Sequence, residues 1–235
     1  MSDQIFGRGQ IEWAVWQTFA GLSARRGNPP QIFRTRIKRL LDIDRDPDLI
    51  GDAEVPPDAD YAFVAPPASE GGESEYHAAD AFCLAVALDL LDAGFKQREV
   101  VFLMRYLRPE LGRRFSGLLR PPSLVDRQLH RAKDYPHMPT FEHRGHRYAD
   151  RRVFVVLQKL ELTEIRPGLA GKPRARPVFG APIYCDGTDE LGEHLSSAMP
   201  NHRRTATVVE LAATAQSTQQ WLSAAPVIRR GRPKA

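Results

Sequence analysis

The spacing of apolar residues changes once along this chain, and that change limits the fold more than any other feature. Before Pro139 apolar residues recur every three or four positions, the period of a helix; after it they alternate in part, the period of a strand. Ile11, Val15, Trp16, Phe19 and Leu22 share one face of a helix over residues 10–22, which ends at Gly27, Pro29 and Pro30. A second helix over 31–45 gathers Phe33, Ile37, Leu40 and Leu41 on one side. A strongly apolar helix is expected over 78–91, with Ser74 or Asp80 near its start as a cap, and another from Arg98 stopped by Pro109. Residues 110–133 are helix-compatible in parts, with a break at Pro121 and Pro122. Beyond Pro139, strands are expected to join at Arg144-Gly145 and near Ala149-Asp150, and PVFGAPIYCDG forms a further strand. Residues 206–225 read as a terminal helix docked by Val208, Leu211, Ala212, Ala215 and Leu222. The fold class is therefore α+β, with helices first, a small sheet later and a closing helix followed by a basic tail.

Charge is segregated along the chain. The net charge is only +4, yet from Asp42 to Asp80 twelve acidic residues face one basic residue, Arg45. From Lys96 to Lys133 ten basic residues face three acidic ones, and after Ser196 six face one. Basic residues gathered in blocks attract a polyanion, whereas the same residues scattered would only solubilise a surface. Arginine outnumbers lysine 27 to 6, in keeping with a GC-rich bacterial genome.

Composition and punctuation divide the chain into a basic helical pair (1–45), an acidic connector rich in Pro and Gly (46–75), a helical region (76–135), an α/β region (136–225) and the tail (226–235). Within the connector only Tyr61 to Val64 is apolar enough for a short strand or a docked segment. No apolar run reaches the roughly 18 residues of a membrane span and no secretory signal opens the chain, so a cytoplasmic protein is expected. Cys83 and Cys185 read as two buried free thiols.

VALDLLDAGFKQREVVFLMRYL resembles a helix-turn-helix, nearest to MerR-like or winged-helix regulators. Gly94 supplies the turn, and Val100 and Leu103 stand six and nine residues beyond it, where a second helix locks onto the first. With Val100, Leu103, Met104 and Leu107 inward, Arg98, Phe102 and Arg105 are expected outward, with Lys96 and Gln97 near the helix start. Arg and Gln suit guanine and adenine edges in the major groove, and Phe102 suits a thymine methyl. Arg34, Arg36, Lys38 and Arg39 of the earlier helix are expected to contact backbone phosphates.

IRRGRPKA at 228–235 resembles an AT-hook. Its core is Arg230, Gly231, Arg232 and Pro233, flanked by Arg229 and Lys234. A·T-rich minor grooves are narrow and negative and draw in arginines; Gly231 lets the backbone approach the floor, and Pro233 favours an extended exit. Such a tail orders only when it binds.

His137, His143, His146 and Cys185 match no compact zinc pattern, and a hairpin would place His143 and His146 across its turn. No nucleophile elbow, Walker loop or glycine fingerprint is present. Asp80, Asp89, Asp92 and Glu99, the acids a DNA-processing enzyme would need, lie at ordinary surface spacing. No catalytic residue, metal or cofactor is assigned. The residues together imply a DNA-binding transcriptional regulator of the cytoplasm or nucleoid. Its partner is double-stranded DNA, homodimerisation is expected, and 136–225 is the region for a protein partner. The competing readings are a DNA-associated adaptor or architectural protein and, behind it, a DNA-processing enzyme.

Overall fold

A computed structural model describes residues 4–20, 27–46, 59–67, 74–119, 139–161, 178–197 and 205–226. Within them lie helices α1 (Arg8–Phe19), α2 (Gln31–Asp44), α3 (Ala78–Asp92), α4 (Gln97–Leu118), α5 (Gly187–Ser196) and α6 (Ala212–Ser223). The strands are β1 (Thr140–His143), β2 (His146–Ala149), β3 (Val153–Glu161), β4 (Val178–Phe179), β5 (Ile183–Asp186) and β6 (Thr205–Glu210). The protein is mixed helix and small antiparallel sheet, and it divides into two units: residues 1–117 with 214–235, and residues 118–213. Residues 1–45 and 76–117 both belong to the first unit.

In the first unit α3 is the central element. Asp80 to Leu88 and Leu90 are all buried, as a helix apolar on every side must be to leave water. His77 caps it, and the Asp80 carboxylate three residues on accepts the His77 N–H at 2.8 Å. Phe6 and Tyr76 bridge in antiparallel fashion beside that start. Trp16 of α1 meets Phe33 of α2 edge to face at 5.2 Å, and Trp13 meets Trp221 of α6 at 5.8 Å.

The expectation that Pro109 stops α4 is corrected: α4 continues to Leu118 with Pro109 inside it. A proline within a helix costs roughly 3 kcal/mol because it removes one hydrogen bond and crowds the preceding turn. The turns beyond it bury Leu111, Phe115 and Leu118, with Phe115 stacked on Phe82 at 5.4 Å. At about 1.5–3 kcal/mol for each large apolar side chain, that burial outweighs the proline.

The apolar segment Tyr61 to Val64 is docked. Ala62, Phe63 and Val64 are buried, and the Ala62 and Phe63 N–H groups donate to the Asp44 carboxylate at 2.8 and 3.1 Å.

In the second unit β3 is the spine. It pairs antiparallel with β6 along one edge and with β5 and then β4 along the other. Val153 to Leu157 are buried without interruption, which fits a strand covered on both faces. β1 and β2 form a separate hairpin closed by Arg144 and Gly145, both at positive φ, as a two-residue hairpin turn requires. The expected terminal helix over 206–225 is corrected in its first part. Residues 205–210 carry Thr205, Thr207, Val208 and Val209, whose β-branched side chains favour the strand that pairs with β3, and α6 begins only at Ala212. The Glu210 carboxylate accepts the Ala212 and Ala213 N–H groups, so the strand's last residue caps the helix.

Candidate nucleic-acid interface

The turn between α3 and α4 sets the site. Gly94 has φ +96°, a conformation costly for any residue with a Cβ, and the Phe95 N–H closes back onto the Leu90 carbonyl at 3.2 Å. α4 then starts with Glu99 accepting the Lys96 N–H at 3.0 Å, a carboxylate at a helix N-terminus where the dipole favours it. Lys96 and Arg98 are exposed, Gln97 and Phe102 partly so, and Phe102 meets Tyr106 edge to face at 5.2 Å.

Behind this edge, Val100, Leu103, Met104 and Leu107 are all buried, as the spacing predicted. Arg105 is not on the outer face. Its side chain is 5% exposed; Nε donates to Asp44 Oδ1 at 3.1 Å, and a terminal nitrogen donates to the Asp44 carbonyl. The physical reason is that α4 is covered on two sides: one side is taken by α3, and the end of α2 with the docked 61–64 segment encloses the side bearing Arg105. Arg108 works beside it, donating to the Tyr61 carbonyl at 2.8 Å and to Asp80 Oδ1 at 3.0 Å.

Sequence reasoning missed Asp44, Arg108 and Asp46. Their signal was the acidic end of a basic helix, Asp42-Ile43-Asp44-Arg45-Asp46, where three acids oppose the negative end of the dipole and must be held by something else. Asp46 Oδ2 accepts from Arg98 at 2.8 Å, with the arginine side chain 57% exposed. On α2, Arg36, Lys38 and Arg39 are exposed, whereas Arg34 is half-buried. Arg229 to Lys234 lie outside the described residues.

A cavity of about 300 Å³ beside the start of α3 is lined by His77, Asp80, Cys83, Arg108 and Pro109 among others. Burial pushes the Asp80 carboxyl up, against the His77 N–H and Arg108, which pull it down. Burial pushes the Cys83 thiol up to about 12, aided by Asp80, so Cys83 is not a nucleophile at neutral pH. Asp80, Asp89 and Glu99 do not converge on a common site: Asp80 holds Arg108 and His77, Asp89 faces Thr214 at 3.5 Å, and Glu99 caps α4.

In the second unit His143 and His146 are partners across the hairpin, with Arg144 and Arg147 exposed near its tip. Asp150, 1% exposed, anchors the loop to β3. It accepts from Arg152 at 2.7 and 2.8 Å and from the Thr188 N–H and hydroxyl at 2.7 and 2.8 Å. Burial raises its pKa, but the hydrogen bonds from Arg152 and Thr188 prevail and hold it at about 2. Both cysteines are buried free thiols. Among the described residues no group of three or more His, Cys, Asp or Glu is placed to hold a metal, and no helix is long and apolar enough to cross a membrane. Compared with known proteins, the chain matches no family model, and no curated protein or solved structure is similar to it.

Proposed function

We propose that the protein is a sequence-specific DNA-binding transcriptional regulator in which α3, the Gly94 turn and α4 act as a helix-turn-helix. The observation that carries this reading is the placement of Lys96, Gln97 and Arg98 at the solvent edge immediately after a left-handed glycine, on a helix locked from behind by Val100, Leu103, Met104 and Leu107. A recognition helix reads base edges with its N-terminal residues, so these side chains and Phe102 meet the major groove. Arg105 has no part in reading bases; it holds the helix to Asp44. Arg36, Lys38 and Arg39 serve as phosphate contacts that position the protein.

The tail from Arg229 to Lys234 takes an adjacent A·T-rich minor groove. In sequence Arg229 follows the end of α6 by six residues, a reach of about 20 Å, and α6 lies mostly in the unit that holds α4. Tethering at that length keeps a weak hook at high local concentration once α4 is engaged. A nucleoid-associated homodimer on paired half-sites completes the proposal.

Genome-wide occupancy of the intact chain beside a version ending at Pro226 tests it. Sharp shared peaks, lower in the shortened chain, are expected; diffuse or absent occupancy in both overturns the reading.

A further inference from the structure

Asp46 bears on the interface proposed above, and the inference drawn from it rests on that DNA-binding reading. Arg98 is the most favourably placed base reader on α4, yet its guanidinium is held by Asp46 at 2.8 Å. Asp46 follows directly on the C-terminal end of α2, where the helix dipole disfavours an acid. Asp44, two residues earlier, is compensated by Arg105 and two backbone N–H groups; the charge of Asp46 is met by Arg98. In sequence Asp46 opens a stretch, 46–95, that contains no lysine or arginine, and Asp48, Asp52, Glu54 and Asp58 follow it closely.

We propose that Asp46 is an intramolecular competitor for DNA: its carboxylate holds the Arg98 guanidinium at the cationic start of α4, and a duplex must displace it to reach Arg98. An exposed ion pair is weak, so the contact lowers affinity by up to about fivefold rather than abolishing binding. It acts as a threshold that a well-matched site overcomes and a mismatched site does not, because a good bidentate base contact discriminates by more than this pair is worth.

The test is fluorescence anisotropy of the full chain with a labelled duplex of mixed sequence at low and moderate salt. It compares the natural protein with Asp46→Asn, Arg98→Ala and the double variant. Removing an acid from the negative end of α2 leaves the fold intact, which thermal unfolding checks. The expected result is binding about twofold to fivefold tighter for Asp46→Asn, with the gain gone when Arg98 is already alanine. A gain that persists without Arg98, or no gain at all, overturns the competitor while leaving DNA binding in place. Failure of every variant, the natural chain included, to bind the duplex at low salt overturns the DNA-binding reading itself.

Discussion

Arg105 and Asp44 form a buried ion pair, Nε to Oδ1 at 3.1 Å, that ties the middle of α4 to the last turn of α2. The side chains are 5% and 2% exposed, and the Asp44 carboxylate also accepts the backbone N–H groups of Ala62 and Phe63. Three segments of sequence therefore meet at one carboxylate.

Removing one partner of such a pair leaves a buried charge uncompensated. Arg105→Ala should lower stability by about 3–5 kcal/mol in urea unfolding, and Arg105→Met, which keeps most of the volume, should lower it by a similar amount. The double variant with Asp44→Asn should recover part of the loss. A change below 1 kcal/mol for Arg105→Ala would mean that the pair is open to water.

Arg98 and Arg105 should separate cleanly in DNA binding. At a temperature where both variants are folded, Arg98→Ala should narrow the affinity ratio between preferred and random duplexes, by about 1–3 kcal/mol if it makes a bidentate contact. Arg105→Ala should leave that ratio unchanged. Equal effects from the two would remove the division between reader and brace.

Pro109→Ala should stabilise the first unit. The substitution restores a backbone N–H to an exposed position inside α4, a gain of about 2 kcal/mol after the loss of unfolded-state restriction. A higher Tm in thermal unfolding is the expected outcome; a lower one would show that the helix depends on the proline's shape.

The second unit should be acid-sensitive through Asp150. Its pKa of about 2 lies below the ordinary carboxylate value, so the ionised form stabilises the fold above about pH 4. That contribution, about 2 kcal/mol, is lost as the pH falls from about 4 through 2. Asp150→Asn should flatten this dependence, read as unfolding free energy against pH.

Gly187→Ala should also destabilise the second unit. The residue has φ +88°, and an added Cβ would come within 2.8 Å of the Pro139 Cβ. A loss of about 1–3 kcal/mol is expected from backbone strain alone. Unchanged stability would place the Asp150 loop and α5 in a looser arrangement than the one described.

Much of the architecture was legible in residue spacing. The buried positions of α4, the Arg144-Gly145 hairpin and the docking of the 61–64 segment follow from period, turn chemistry and local hydrophobicity. Three features were not. The continuation past Pro109 depends on Phe82 and on burial of Leu111 and Leu118, which are tertiary gains invisible to local rules. The strand at 205–210 reads as helix until β3 is available to pair with it. The burial of Arg105 depends on Asp44, sixty-one residues away, and an arginine's sequence neighbours do not reveal whether it faces DNA or a carboxylate. At the candidate interface the cationic edge was readable, but the acid that holds Arg98 was readable only as excess charge.

The packing of α6 against α1 has a consequence in time. Thr18 and Thr218 approach to 3.4 Å across two hundred residues of sequence, and Trp13 lies against Trp221. At synthesis rates of about 5–20 residues per second, α1 waits some 10 to 40 s on the ribosome before the helix that covers it exists. During that interval Trp13 lacks its partner on α6 and is open to chaperones, so the first unit, though it begins early, is completed late.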